Sequence, residues 1–215
     1  MDQFNSLVGT PQLLALAAAL GWASGIRLYA AVFLVGLAGF MGWVDLPHGL
    51  QVLQHPGVLA ASGFMCFIEF FADKIPYVDT LWDMVHTVIR IPAGAALAAG
   101  ALGADSQAMG WIAALLGGSL AATSHAAKLT TRAAVNTSPE PFSNIAVSLA
   151  EDGFVVFMLW LSATHPLLFA IALVLTLIVA VLLMIVLIKF LRAVIVRLSE
   201  FFSGRRPGSR KPDVQ

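Results

Sequence analysis

The chain has 215 residues, of which 59% are hydrophobic and 11% are charged, and its formal net charge at pH 7 is zero. A soluble globular domain is nearer half apolar and a quarter charged, so this composition excludes an ordinary cytosolic enzyme and a disordered chain. It also excludes a nucleic-acid-binding protein, which would carry a basic face, and the single cysteine, Cys66, excludes an internal disulfide.

The first apolar segment, residues 3–44, contains one charged residue, Arg27. As a single straight helix it would be about 63 Å long, which is too long for one crossing of a bilayer. Gly21 and Gly25 permit a break in the helix before Arg27. We therefore predict a short interfacial start followed by a kinked or discontinuous helix over residues 11–42.

The rest of the chain divides into apolar segments separated by helix breakers. A loop rich in proline and glycine is predicted at residues 42–56. The last segment is uncharged from residue 166 to residue 188, about 35 Å as a helix, and has no polar stripe, so we expect it to face lipid. The predicted helices after the first are residues 57–71, 79–103, 106–135, 144–163 and 166–188.

The basic residues indicate the orientation of the chain in the membrane. Seven of the twelve lysines and arginines lie after residue 188, and a basic flank beside a long apolar segment is typical of the cytoplasmic side. With about six crossings, this predicts that both termini are cytoplasmic and that the protein lies in the inner membrane. The N-terminus lacks the basic region of a signal peptide. We divide the chain into a transmembrane domain, residues 1–192, and a basic tail, residues 193–215, that is disordered at its end.

Polar residues recur at helical spacing inside the apolar segments. Residues 79, 83, 86 and 90 would share one face of a helix, and so would residues 125, 128, 132 and 136. Because ionisable groups are costly at membrane depth, these faces should turn towards one another and line a shared interior. We predict that Asp79 or Asp83 pairs with Lys128 or Arg132. The predicted binding residues are Arg27, Glu69, Asp73, Asp79, Asp83, His86, Arg90, His125, Lys128, Arg132, Asn136, Glu140, Asn144, Glu151 and Asp152.

The near balance of acidic and basic residues in this set favours a network of ion pairs over a pore of one sign. We predict a small transporter or channel-like carrier for an ion or a small polar solute, linked to protons through histidine and carboxylate side chains. Two alternatives remain open. One is a membrane-embedded enzyme or binding protein that acts on a lipid or lipid-linked substrate. The other is a structural protein in which the pairs only fix the register of the helices.

The polar residues that would line the shared interior suit two kinds of ligand other than a proton. No cofactor is predicted, but a divalent metal is an open alternative because carboxylates and imidazoles suit Mg, Mn, Zn or Fe. Alternatively, Arg90, Lys128 and Arg132 would clamp an anionic ligand. The candidate metal ligands are Asp79, Asp83, His86, His125 and Glu151.

A weak internal similarity suggests a duplication of three helices plus three. In residues 22–27 and again in residues 122–128, a serine precedes a cation by three or four positions. Transporters built from such repeats bind their substrate between the two halves. The expected partners are the lipid bilayer and the transported solute, and a homo-oligomer is also left open.

Three motifs carry a resemblance to a known family. They are Ser24-Gly-Ile-Arg-Leu-Tyr29, the run from Glu69 to Asp79, and His125-Ala-Ala-Lys128 together with residues 136–144. In these motifs the chain resembles a bacterial membrane family of unknown function, DUF4126, over about residues 11–190. The resemblance implies a polytopic inner-membrane protein. It implies no activity, substrate or cofactor.

Overall fold

The computed structural model describes residues 2–103, 106–137 and 141–202, and within these ranges the chain is helical without strands. The prediction of an all-α fold is therefore confirmed. Six α-helices and one 3₁₀ helix follow one another along these described ranges. They are α1 (Asp2–Phe40), the 3₁₀ helix (His48–Gln54), α2 (Pro56–Ala72), α3 (Val78–Leu102), α4 (Gln107–Val135), α5 (Pro141–Thr164) and α6 (Pro166–Phe202).

The described helices are those of an integral membrane bundle. Four are long and apolar enough to cross a bilayer, or five if the 3₁₀ helix and α2, which are bent by 69°, form one span. The predicted number of about six segments agrees roughly with this result. Helix α6 runs past the apolar segment to Phe202, so the predicted boundary at residue 192 falls inside a helix. The rest of the basic tail, residues 203–215, lies outside the described residues.

Helix α1 is broken at Arg27. This residue has φ −141° and ψ 71°, which lies outside the helical region, while its neighbours on both sides are helical. The predicted discontinuity is therefore confirmed, but it falls at Arg27 itself. The break divides α1 into residues 2–26, here called α1a, and residues 28–40, here called α1b.

The first half of α1 runs antiparallel to α3. A Cβ atom on Gly94 would lie 3.2 Å from the carbonyl oxygen of Gly21. Four residues further along α1a, Gly25 lies near Arg90 of α3, because both contact the ring of His125. The Gly25 carbonyl oxygen lies 3.1 Å from His125 Nδ1, and Arg90 Nη1 lies 3.3 Å from the same nitrogen. Residue numbers therefore rise along α1a as they fall along α3, so the C-terminal end of α3 lies beside the start of α1.

The second half of α1 returns to that same end. Both ends of the 3₁₀ helix pack closely against other helices. Near its start, Gly49 lies so close to Gly100 of α3 that a Cβ atom on Gly49 would overlap it. Near its end, Leu53 lies equally close to Gly36 of α1. A straight α1 would place Gly36 and Gly100 about 31 Å apart along the bundle axis, whereas a seven-residue 3₁₀ helix spans only about 14 Å. Helix α1 therefore folds back at Arg27 as a helical hairpin.

The hairpin places the start of α1 at the end of the bundle opposite to Arg27. Helix α6 begins at this opposite end as well, because Pro166 and Pro11 line the same cavity as Leu102. Helix α6 packs along α4, and its 34 residues from Pro166 to Ser199 carry it back past the level of Arg27. The prediction that both termini face the cytoplasm assumed one crossing by the first helix, whereas α1 begins and α6 ends at opposite ends of the bundle. The orientation of the termini in a membrane stays a prediction.

Candidate functional site

Eight charged side chains are almost completely buried at the Arg27 end of the bundle. Each has at most 3% of its surface exposed. Four are acidic and four are basic, so their charges cancel, as expected where an unpaired charge would be costly. We call these residues the charge cluster. They are Arg27, Glu69, Asp73, Asp79, Asp83, Arg90, Lys128 and Arg132.

Arg90 joins α2 to α3. Its Nη2 atom lies 2.5 Å from Glu69 Oε1, and its Nη1 atom lies 2.7 Å from Asp83 Oδ1. Asp83 lies two turns before Arg90 on α3, so both side chains project from one face of that helix. Arginine suits this position because its planar guanidinium can bind two carboxylates at once.

Lys128 connects α4 to three other parts of the chain. Its ammonium nitrogen lies 2.6 Å from Asp73 Oδ2, 3.1 Å from Asp83 Oδ1 and 3.1 Å from the carbonyl oxygen of Ile26. A lysine ammonium has three N–H donors, so all of them have acceptors. The predicted pairing of Asp83 with Lys128 is confirmed.

Arg27 projects from the break in α1 towards α5. It forms a buried ion pair with Asp73. Its Nε atom lies 2.8 Å from Asp152 Oδ1, and Nη2 donates to Ser148 Oγ at 2.9 Å. The apex of the hairpin is thereby attached both to the α2–α3 turn and to α5.

Arg132 forms the second connection between α4 and α5. Its Nη2 atom lies 2.7 Å from Glu151 Oε2, and Nη1 donates to the side-chain oxygen of Asn144. The same Nη1 atom lies 3.8 Å from Asp79 Oδ2, which confirms the second predicted pairing. Asn136 donates to Asp79 Oδ1 at 2.9 Å.

Asp73 lies at the centre of the charge cluster and directly follows α2. Three cations surround it, since Lys128 and Arg27 contact it and Arg132 Nη2 lies 3.8 Å from its Oδ2 atom. Burial raises the pKa of Asp73, but the three cations lower it by more, so the pKa lies below its usual value. Asp73 is therefore held as a carboxylate.

Polar side chains of α4 contact carbonyl groups in the last two turns of α1a, before the break. The carbonyls at a helix C-terminus lack intrahelical donors and carry partial negative charge. Ser124 Oγ donates to the Trp22 carbonyl at 2.7 Å, and His125 Nδ1 lies 3.1 Å from the Gly25 carbonyl. The Gly25 and Ile26 carbonyls lie in the last turn before the break, and the contacts that His125 and Lys128 make with them help a helix to end inside the bundle.

One side of the charge cluster is partly exposed. Glu151, Asp152 and Lys74 have 15%, 25% and 17% of their side-chain surface exposed. We call these three residues the rim, and its formal charge is −1. Asp152 connects the rim to the cluster through Arg27, and it lies 3.5 Å from Lys74 Nζ.

Several buried polar atoms of the cluster have no hydrogen-bond partner among the described residues. Three are carboxylate oxygens, namely Glu69 Oε2, Asp73 Oδ1 and Asp83 Oδ2, and two are the Nε atoms of Arg90 and Arg132. Buried polar atoms in proteins nearly always have a protein, water or ligand partner. Each of these oxygens can therefore accept a hydrogen bond or bind a cation, and each Nε atom can donate a hydrogen bond.

Among the described residues, one predicted site residue, His86, does not join the charge cluster. His86 lies on the predicted face of α3, but its ring stacks on Trp82 with centroids 4.2 Å apart, and its Nδ1 atom lies 2.8 Å from the Trp82 carbonyl. His86 therefore lies outside the charge cluster, and its part in a binding site stays a prediction. Glu140 lies outside the described residues.

The geometry does not assemble the alternative ligand sites. No group of three His, Cys, Asp or Glu side chains is placed to hold a metal ion in residues 2–103, 106–137 and 141–202. Of the candidate ligands, Asp79 contacts Arg132 and Asn136 while His125 contacts Thr87 and the Gly25 carbonyl. The cations proposed to clamp an anion are each paired with a carboxylate.

The list of binding residues predicted from the sequence leaves out some contacts of the site. Ser148 and Lys74 belong to it, and Ser148 is fully buried. Ser148 lies three residues before Glu151 at helical spacing, which was a usable signal. The carbonyls of Gly25 and Ile26 left no such signal, because only the position of the break makes them acceptors.

Comparison with known proteins identifies the family but no function. A sequence model described as "Domain of unknown function (DUF4126)" matches residues 14–186. That range contains every residue of the charge cluster and the rim. No curated protein and no solved structure matches the chain. The match covers most of the chain, which therefore belongs to the DUF4126 family.

Proposed function

We propose that this protein is a membrane carrier for an ion or a small polar solute, linked to protons, and that the charge cluster is its binding site. The observation that carries the proposal is a buried cluster of balanced charge in which three carboxylate oxygens have no hydrogen-bond partner among the described residues. Ionisable residues inside a membrane protein are rare and generally serve transport or catalysis. A purely structural cluster would be expected to satisfy its own acceptors.

The position of the cluster supports transport. It lies where α1 is broken, and broken helices supply the substrate site in many transporters because their ends provide unpaired backbone groups. The rim gives the cluster a partly exposed side through Asp152 and Lys74. A solute that enters there meets carboxylates and cations that can exchange partners.

The proposed location is the inner membrane, with the C-terminal end of α6 in the cytoplasm. Lys189, Arg192 and Arg197 are exposed on the last turns of α6, and basic residues beside a span are retained on the cytoplasmic side. Because α6 returns to the Arg27 end of the bundle, the rim would open towards the cytoplasm.

A second candidate function is the binding or modification of a lipid. A cavity of about 700 Å³ lies between α1, α3, α4 and α6, and its lining is almost entirely apolar. Such a cavity fits an acyl chain. It lies at the end of the bundle opposite to the charge cluster, because Pro11 and Phe169 line it. An enzyme that modifies a lipid would need the reacting group of the lipid to lie near the charged side chains of the cluster. The apolar cavity lies at the other end of the bundle, so its placement favours the carrier.

The direct test is solute flux into sealed proteoliposomes under a pH gradient, screened over cations, phosphate and small acids. We expect Asp83→Asn to lower the flux at least about tenfold, the factor that corresponds to about 1.4 kcal/mol of lost binding. Asp45, which is exposed, supplies the matched control, and Asp45→Asn should leave the flux unchanged. Absence of flux for every solute, with chemical change of an added lipid extract, would establish the enzyme instead.

A further inference from the structure

The four buried cations differ in whether they can give up a proton. Three of them are arginines, which stay charged in proteins, whereas a lysine can lose its proton when it is buried. Lys128 is the one lysine of the charge cluster. Its ammonium lies between Asp73 and Asp83, and each of these carboxylates also has one oxygen without a hydrogen-bond partner in the part of the chain that the structure describes.

We propose that Lys128 exchanges its proton for a monovalent cation, which then binds Asp73 and Asp83. This inference rests on the proposed carrier function and names its substrate class. In the exchange, an N–H bond of the Lys128 ammonium breaks and the proton passes to water. The cation takes the place of the lost charge beside the two carboxylates, and neutral Lys128 keeps its lone pair as a further ligand.

Charge balance among the fully buried residues favours this exchange. The buried acids and bases cancel, so a cation that entered without the loss of a proton would leave one uncompensated charge in a site of low dielectric constant. A divalent ion would still leave one such charge after the loss of one proton. An anion is disfavoured, since every buried cation already has a carboxylate partner.

The groups around Lys128 agree with a cationic ligand. The rim, through which a ligand would enter, has an excess of one acidic residue. Two further acceptors are present, the Ile26 carbonyl next to Lys128 and the unpaired Glu69 Oε2 atom. The charged and titratable groups that face this site are Arg27 from α1, Glu69 from α2, Asp73 after α2, Asp83 and Arg90 from α3, and His125 and Arg132 from α4.

The test is proton release from the purified full chain in weakly buffered detergent solution, followed with a pH indicator. The chlorides of Na⁺, K⁺ and methylammonium are the probes, and choline chloride, whose cation is much bulkier, controls for ionic strength. We expect at least one probe to release one proton for each cation bound. Lys128→Arg keeps the positive charge but holds its proton, so it should release none. Lys189→Arg changes an exposed lysine and should behave as wild type.

A second variant covers the case in which Lys128→Arg does not fold. Lys128→Gln mimics the neutral side chain, and it should bind the cation about tenfold more tightly, within the usual range of coupling between two ligands, without proton release. Release from either folded variant at the wild-type level would overturn the proposal. So would the absence of release from the wild type with every probe.

Flux measurements separate this inference from the proposed function. If the wild type releases protons on cation addition but moves no solute in sealed vesicles, the exchange site stands and the carrier function fails. If instead the wild type transports an anion or a neutral solute and releases no proton with any cation, the carrier function stands and the exchange site is wrong.

Discussion

Replacing Arg90 by glutamine is expected to lower the free energy of unfolding by about 3–5 kcal/mol, the usual effect of breaking a buried ion pair. Glu69 is 1% exposed, and Arg90 is the cation it contacts. Without Arg90 its carboxylate would remain buried without a counter-charge. Asp83 is affected less, because Lys128 still binds it. Unfolding in mixed micelles with a denaturing detergent measures this difference.

The control for Arg90→Gln is Arg192→Gln. Arg192 is exposed on α6, so its loss should change the free energy of unfolding by no more than about 0.5 kcal/mol. The change Glu69→Gln made together with Arg90→Gln removes both charges of the pair, and it should recover much of the lost stability. If Arg90→Gln is as stable as the Arg192 variant, the Arg90 site is hydrated and the charge cluster is not dry.

Replacing Gly25 by alanine is expected to destabilise the fold by about 3 kcal/mol, at the upper end of the range for overpacking. Gly25 lies two residues before the break, where α1a meets α4 most closely. A Cβ atom there would overlap Ser124 Oγ and the Ala121 carbonyl and would lie 2.9 Å from His125 N. Two of these three groups belong to the backbone, so they cannot move aside independently. The same unfolding assay measures the effect.

Gly153 supplies a matched control for Gly25. It lies inside α5, and a Cβ atom on it would meet no other atom within 4 Å. Gly153→Ala should therefore stabilise the protein by about 0.5–1 kcal/mol, since alanine favours the helix over glycine. Equal stability of the two alanine variants would show that α1a and α4 are not in close contact at Gly25.

The polar faces of α3 and α4 could be predicted because helical spacing fixes which residues share a face. Asp79, Asp83 and Arg90 do converge with Lys128 and Arg132. Helical spacing does not fix the direction in which a side chain extends from that face. His86 shares the face, but its ring turns along its own helix to stack on Trp82. Spacing does not encode that choice, because neighbouring aromatic rings decide it.

The hairpin of α1 could be predicted only in part. Glycines beside a lone charge in an apolar segment indicated a break, and the break is present at Arg27. The angle between the two halves depends on contacts made by distant residues, such as Gly49 with Gly100. Local sequence does not report those contacts, so it predicted the break but not the return of the second half of α1 to the end where the first half begins.

The most direct test of the charge cluster as the functional site is a double-mutant cycle of Asp83→Asn and Lys128→Gln, measured for both stability and flux. Each single change leaves one buried charge unbalanced and should lower the free energy of unfolding by about 3–5 kcal/mol. The double variant again has equal numbers of buried acids and bases, so it should lose clearly less stability than the two single losses combined and should still lack wild-type flux. Single variants with wild-type stability and wild-type flux would contradict the account.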